Sequence, residues 1–205
     1  ECLRYGISIC VAGATSSGKT TLAGWLLTTI PDGKRIFTIE NGSRELALVR
    51  EKDGKVTNSV IHTLTRYSEN EKQNIDQDML LDMALRFNPE IICVGEMRSS
   101  EAYTAQESAR TGHTVLTTIH SNSCESTYSR MRTLCKRKYD MDDEVLMDLV
   151  TEAFPIVVFT KQLENRKRKL MEIMECEITA DGKRKFNPLY RYEITENRME
   201  AVSYT

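Results

Sequence analysis

The chain has 205 residues, with 28 Lys and Arg against 30 Asp and Glu, a formal net charge of −2. A balance this close to zero excludes polyanion binding by bulk charge, and the lack of an apolar run of about 18 residues excludes a membrane-spanning helix. The six cysteines, Cys2, Cys10, Cys93, Cys124, Cys135 and Cys176, form no CxxC pair, so they mark neither a zinc site nor a disulfide framework and fit a reducing cytoplasm.

The length suits one α/β domain with a small appendage. The chain opens Glu1-Cys2-Leu3-Arg4, with no initiator Met and no signal-peptide pattern. That opening reads as a segment of a longer protein.

Ile7 to Ala12 is an apolar run that predicts a buried strand. Gly13-Ala14-Thr15-Ser16-Ser17-Gly18-Lys19-Thr20 follows, and TLAGWLLTTI after it predicts a helix. Strand, GxxxxGK[ST] loop and helix in that order specify a phosphate-binding loop. Gly13 and Gly18 let several backbone N–H groups turn toward an anion. The positive end of the helix lies beneath the same phosphates. Lys19 carries charge to the outer phosphates, and the Thr20 hydroxyl is placed to ligate Mg²⁺. The nucleotide-binding set expected here is Gly13, Ala14, Thr15, Ser16, Ser17, Gly18, Lys19, Thr20 and Thr21.

Pro31-Asp32-Gly33 is a turn, and Arg35 to Ile39 the next strand, ending at Glu40-Asn41-Gly42. Leu46 to Val49 and Val60 to Leu64, around Asp53-Gly54, read as short strands of a meander. A polar loop covers 67–74. Ile75 to Phe87 predicts an amphipathic helix with Ile75, Met79, Leu80, Met83 and Phe87 on its apolar face, stopped by Asn88-Pro89. Ile91 to Val94 is a continuous apolar strand of the parallel-sheet kind, ending in Gly95-Glu96. Ser99 or Ser100 is expected to cap a helix that runs to Ala109 and closes at Gly112.

Thr114 to Ile119 is a strand that delivers His120, and helices follow at about 124–136 and 142–153. From Pro155 the period becomes two. Ile156–Lys161, Leu170–Ile178 and Leu189–Ile194 predict an antiparallel section with turns at Asn165–Arg168 and Asp181-Gly182. The division expected is a core over 1–154 and a β-rich extension over 155–205.

Glu40, Glu96 and His120 each end an apolar strand. Ligands of open α/β sheets sit at the carboxyl ends of strands, so all three are expected around the phosphates held by Gly13–Thr20.

At this point the wording becomes specific. TIE at Thr38–Glu40, NPEIICVGEMR at Asn88–Arg98 and TGHTVLTTIHSNS at Thr111–Ser123 resemble the Asp box, atypical Walker B and His box of the secretion (traffic) ATPase superfamily, in the family's order after the Walker A. That superfamily serves type II and type IV secretion and type IV pili. The TTIHSNS wording and β-rich tail resemble its tight-adherence and conjugation branch. The resemblance covers the whole chain. It implies a RecA-like P-loop NTPase fold, with a central, mostly parallel sheet flanked by helices and the antiparallel β section after it.

It further implies an ATP-hydrolysing motor domain that uses ATP and Mg²⁺. As implied roles, Glu40 is the general base that polarises the attacking water, Glu96 holds Mg²⁺ through water, and His120 senses the γ-phosphate, with His113 structural. Lys19, Glu40, Glu96, His120 and Arg66 are thus the expected catalytic residues, and Thr20 and Glu96 the metal residues. Arg66 lies where family members carry an arginine that acts on a neighbouring subunit's phosphate, with Arg44 and Arg50 as further candidates. The implied assembly is a homohexameric ring on an integral membrane platform protein at the cytoplasmic face, peripheral and not inserted, without the N-terminal domain of family members. Asn41, where the family usually has Asp, and Ser99, another departure, concern the metal geometry.

The basic runs Lys136–Lys138 and Arg166–Lys169 lack an aromatic stacking platform. They are read as a helix end, where cations are favoured, and a hairpin kept soluble by charge. The competing readings are a nucleic-acid-stimulated translocase, a P-loop phosphotransferase and a nucleotide-dependent scaffold.

Overall fold

The computed structural model describes residues 1–194 and 199–203. A short 3-10 turn, Cys2–Tyr5, leads into β1 (Ile9–Gly13) and α1 (Lys19–Thr28). Next come β2 (Arg35–Glu40), a two-strand hairpin of β3 (Glu51–Lys52) and β4 (Lys55–Val56), β5 (Ser59–Leu64), α2 (Gln77–Arg86) and β6 (Ile91–Met97). The remainder is α3 (Glu101–Arg110), β7 (Thr114–Ile119), α4 (Cys124–Cys135), α5 (Asp143–Ala153), β8 (Ile156–Gln162), β9 (Arg168–Ile178), β10 (Arg184–Ile194) and β11 (Met199–Ser203).

Among the described residues nine strands form one sheet in the order β11-β10-β9-β8-β1-β7-β6-β2-β5. From β8 to β5 every pairing is parallel, and β9, β10 and β11 continue it antiparallel. The parallel strands are continuous apolar runs because both faces are covered. Cys10 and Ala12 of β1, Phe37 and Ile39 of β2, and Ile92 and Val94 of β6 pack beneath the layer containing α2 to α5. Their alternates Ile9, Val11, Ile36, Ile91 and Cys93 pack against α1 and the segment carrying Leu46 and Leu48. The chain leaves β1 for β2 on one side and reaches β8 on the other, so β1 stands at the switch point where a ligand crevice opens.

The local sequence misplaces several features. Leu46–Val49 is no strand, although Leu46 and Leu48 are buried. Side chains bind its backbone instead. Glu40 accepts from the N–H of Leu46, and Asn58 binds the carbonyl of Leu48 and the N–H of Arg50. Nor does β5 belong to a meander; it is a parallel neighbour of β2.

In α2 the buried face is Gln77, Leu80, Leu81 and Ala84, whereas Met79 is 53% exposed and Met83 and Phe87 are also exposed. Two overlapping stripes satisfy the helical period here. The small Ala84 and the bond from Gln77 Nε2 to the Glu96 carbonyl (3.0 Å) select the second. Ser100 stands at the N-cap of α3, as expected, but its side chain makes no cap hydrogen bond. The Glu101 carboxylate takes the N–H groups of Arg98 and Ser99, and Ser100 bonds to Asp78.

β8, β9 and β10 pair antiparallel as expected, but β8 also joins the parallel sheet. β8 follows the helical crossover of α4 and α5 and so lies parallel to β1. β10 starts at Arg184, five residues before the expected Leu189, with an irregularity between Pro188 and Tyr190. β11 was not expected at all.

Candidate active site

The loop after β1 owes its shape to close contacts. Gly13 has φ 155°, and a β-carbon there would run into Ser17 Oγ and the Thr160 carbonyl. Ser17 Oγ lies 3.0 Å from Thr160 Oγ1, which in turn donates to the Ala12 carbonyl. β8 therefore clamps the loop from one side. Lys19 is 8% exposed, and its Nζ donates to the Ala14 carbonyl at 2.8 Å. One of its three donors is thereby fixed. Burial lowers the Lys19 pKa below the ordinary lysine value, nearby Glu96 opposes that, and Arg98 adds to it.

Thr15, Ser16, Lys19, Thr20, Glu40, Glu96 and His120 line one cavity of about 350 Å³, together with Asn41, Ser43, Glu45, Leu46, Gly95, Arg98 and Thr118. The expected strand-end residues thus meet at the phosphate loop. Of the rest of the expected nucleotide set, Ser17 is buried against Thr160, Ala14 turns its carbonyl to Lys19, and Gly18 begins α1. Gly18 and Thr21 border a smaller depression beside the loop.

Glu40 is 3% exposed. Its Oε2 accepts the N–H groups of Glu45 (2.6 Å) and Leu46 (2.9 Å). Its Oε1 faces Thr38 Oγ1 at 3.4 Å and His62 Nδ1 at 3.5 Å. Asn41, also at the cavity, accepts from Thr65 Oγ1 through its Oδ1. Gly95 lets β6 pass the end of β2, since a β-carbon there would come within 3.2 Å of the Ile39 carbonyl.

Glu96 is held from two sides. Oε2 accepts from Arg98 Nη2 at 2.6 Å, and Oε1 lies 2.8 Å from His120 Nε2. The His120 contact is close but poorly aligned, so Oε1 is a buried carboxylate oxygen without a proper hydrogen bond. Thr20 opens onto the same cavity. A hard cation with oxygen ligands fits this pair, and Mg²⁺ keeps several waters when so bound. Among the described residues no cluster of three His, Cys, Asp or Glu forms a metal cage, so phosphate oxygens would supply the other ligands.

Arg66 is exposed at the end of β5, paired through its backbone with Ile75, and does not line the cavity. Arg50 is committed to Asp32 and the carbonyls of Thr28 and Ile30. His113 Nδ1 lies 3.2 Å from the Pro89 carbonyl. The first basic run has partners within the fold. Lys136 pairs with Asp143, Lys138 with Asp78, and Arg137 reaches the Arg98 carbonyl.

Arg168, read from sequence as a solubilising turn residue, instead donates from Nε to the Ser16 carbonyl at 2.8 Å and lies over Gly18. His62 is the other residue the sequence did not single out. No local signal marks it, because its place opposite Thr38, two residues before Glu40, depends on the parallel pairing of β5 with β2.

A family described as Type II/IV secretion system protein matches residues 3–196. Protein VirB11 of Agrobacterium tumefaciens (strain 15955) is 27% identical over 190 residues, 90% of this chain and 51% of that protein. The type IV secretion system protein PtlH of Bordetella pertussis is 31% identical over 177 residues, 83% of this chain and 50% of that protein. Among solved structures, the VirB11 ATPase of the Brucella suis type IV secretion system, in complex with sulphate, superposes with a TM-score of 0.70. It is 27% identical and covers 85% of this chain and 51% of that one. The shared architecture is the RecA-like α/β fold. The chain spans about half the length of these relatives. Among the described residues no helix is long and apolar enough to cross a membrane.

Proposed function

The chain belongs to the type II/IV secretion system protein family, and from that premise we propose that it is the ATP-hydrolysing motor domain of a secretion, conjugation or pilus-assembly machine. The observation that carries the reading is the single cavity shared by the phosphate loop, Glu40, Glu96 and His120. Backbone N–H groups of Gly13–Thr20 and the free donors of Lys19 bind the β- and γ-phosphates. Mg²⁺, when bound near Thr20 and Glu96, neutralises charge on the phosphate oxygens.

Glu40 is the general base. A carboxylate has about four lone-pair positions, and both on Oε2 are taken by the Glu45 and Leu46 N–H groups. Proton acceptance therefore falls to Oε1. The water gives its proton to Oε1 as its oxygen bonds to the γ-phosphorus, and the bond from phosphorus to the β-bridging oxygen breaks. The products are ADP and phosphate. His120, beside Glu96 and the loop, reports the γ-phosphate by exchanging its Glu96 contact for a phosphate oxygen.

Arg66 does not border its own cavity, which suits an arginine that serves a neighbouring copy in a ring. The ring is proposed as a homohexamer on a membrane platform protein at the cytoplasmic face, with no insertion into the bilayer. Hydrolysis there changes how neighbouring subunits hold one another, the differential contact a conformational cycle requires.

The test is Mg²⁺-dependent ATPase activity of the full-length protein. Glu40→Gln is expected to lose about 10²–10⁴ in turnover while still binding nucleotide. Lys19→Ala is expected to lose nucleotide binding. Transfer of phosphate to an acceptor without release of free phosphate would refute hydrolysis in favour of a phosphotransferase.

A further inference from the structure

Behind the cavity, Thr38, Glu40 and His62 share one face of the sheet. Thr38 and Glu40 are two residues apart on β2, and His62 is the β5 partner of Thr38. His62 Nδ1 lies 2.8 Å from Thr38 Oγ1, and Thr38 Oγ1 lies 3.4 Å from Glu40 Oε1. The opposite ring nitrogen, Nε2, is buried and has no partner.

We infer that His62 is a positioning residue for Glu40, acting through Thr38 on the one carboxylate oxygen free to take the proton. This inference rests on the hydrolase reading above.

The donor arithmetic fixes the tautomer. If Nε2 carried the proton, a buried N–H would be unpaired and Nδ1 would draw the Thr38 hydroxyl away from Glu40. With the proton on Nδ1, the ring donates to Thr38 and the hydroxyl donates to Oε1, so every donor in the row is used. The row holds Oε1 on the Thr38 side and leaves it a lone pair, in a residue that itself lines the cavity. Oε2 is fixed by the Glu45 and Leu46 N–H groups, so both ends of the carboxylate are held. Orientation of this kind is what a general base needs.

The same row makes the site sensitive to acid. The only unoccupied acceptor of the ring is Nε2, and a proton added there creates a cation beside Oε1. The carboxylate is then drawn to the ring and away from water. The charged and titratable groups around the ring are Glu40 on β2, Arg44 on the loop after it, and Cys93 on β6 near Glu40. Burial and Arg44 favour the neutral ring, and Glu40 opposes them. The Cys93 thiol is pushed up to about 12 by burial and by Glu40, and so stays neutral.

Two variants separate the roles. His62→Asn keeps an N–H donor at the Nδ1 position but cannot titrate; His62→Phe keeps neither. In the full-length protein, His62→Phe is expected to lower kcat about tenfold at pH 7.5 with KM for ATP unchanged. His62→Asn is expected to stay within about threefold of wild type there, because the hydrogen bond is kept, and to lose the wild-type fall in rate toward pH 5.5. Independently, ¹³C-histidine NMR without nucleotide follows the His62 ring, identified by the signal missing in His62→Asn. In Glu40→Gln its pKa is expected to fall, because the carboxylate that favours the imidazolium is gone.

An unchanged His62 pKa in Glu40→Gln would overturn the inference. So would a wild-type rate and pH profile in His62→Phe. A wild-type protein that binds ATP but never hydrolyses it overturns the hydrolase reading instead, and the NMR comparison still decides whether the two residues are coupled.

Discussion

Glu40 and His62 show how much depends on single atoms. The Glu40 carboxylate is buried, yet each of its oxygens has a named neighbour, so the site is preorganised before any substrate arrives. His62 also gives the fold a pH dependence. Burial is the largest cause of its pKa lying below the ordinary histidine value. Its neutral form therefore favours the folded state, and the unfolded chain binds the proton more readily. Its stabilising contribution is fully present above the unfolded pKa of about 6.5 and is lost as pH falls below it. Urea unfolding at pH 7.5 and 5.5 is expected to show a smaller acid loss for His62→Phe than for wild type. An equal loss in both would place the acid sensitivity elsewhere.

Among the elements, α2 and the β8–β9 hairpin carry the clearest tests. Leu81 of α2 is fully buried and Met83 is 37% exposed. Leu81→Ala is expected to cost about 2–5 kcal/mol of stability, and Met83→Ala no more than about 0.5 kcal/mol. The reverse ranking would restore the apolar face that the sequence period pointed to. Arg168, at the start of β9, ties the hairpin to the phosphate loop through the Ser16 carbonyl. Arg168→Ala is expected to raise the Kd for ADP several-fold, as the loop loses an outer anchor and a nearby positive charge, about 1 kcal/mol of binding. Thermal unfolding without nucleotide should be nearly unchanged, because the side chain is exposed. ADP affinity equal to wild type, by calorimetry, would return Arg168 to a purely solubilising role.

On the scale of the whole molecule, the sheet gathers the candidate site, and the proposed hydrolysis calls for a further positive charge opposite the transferring phosphate. Arg98 is bound to Glu96, and Arg66 stands outside the cavity. An arginine supplied by a neighbour contributes about 10³–10⁵ in rate in comparable phosphoryl-transfer sites. If Arg66 supplies it, Arg66→Ala subunits mixed with Lys19→Ala subunits recover part of the activity that each lacks alone, read as phosphate release from mixed rings. Wild-type activity in Arg66→Ala, or no recovery on mixing, would assign that charge to another residue.

What the sequence determined by itself was local. GATSSGKT between an apolar strand and a helix, and the strands that deliver Glu40, Glu96 and His120, were legible because strand period and loop chemistry act over a few residues. Those strands lie where the periods put them, and the family that matches the chain belongs to the superfamily their wording resembles. Tertiary structure decided the rest. His62 meets Thr38 across 24 residues of chain, and Arg168 meets Ser16 across 152. The roll of α2 turned on a bond from Gln77 to a carbonyl 19 residues away. Strand register and helix roll depend on which surfaces meet, and a period compatible with two faces cannot choose between them. The residues of the candidate site therefore lay in the order of the chain, and the setting of Glu40, with Oε2 held by the Glu45 and Leu46 N–H groups and Oε1 turned to Thr38 and His62, came only from the packing of β2 against β5 and the loop beyond it.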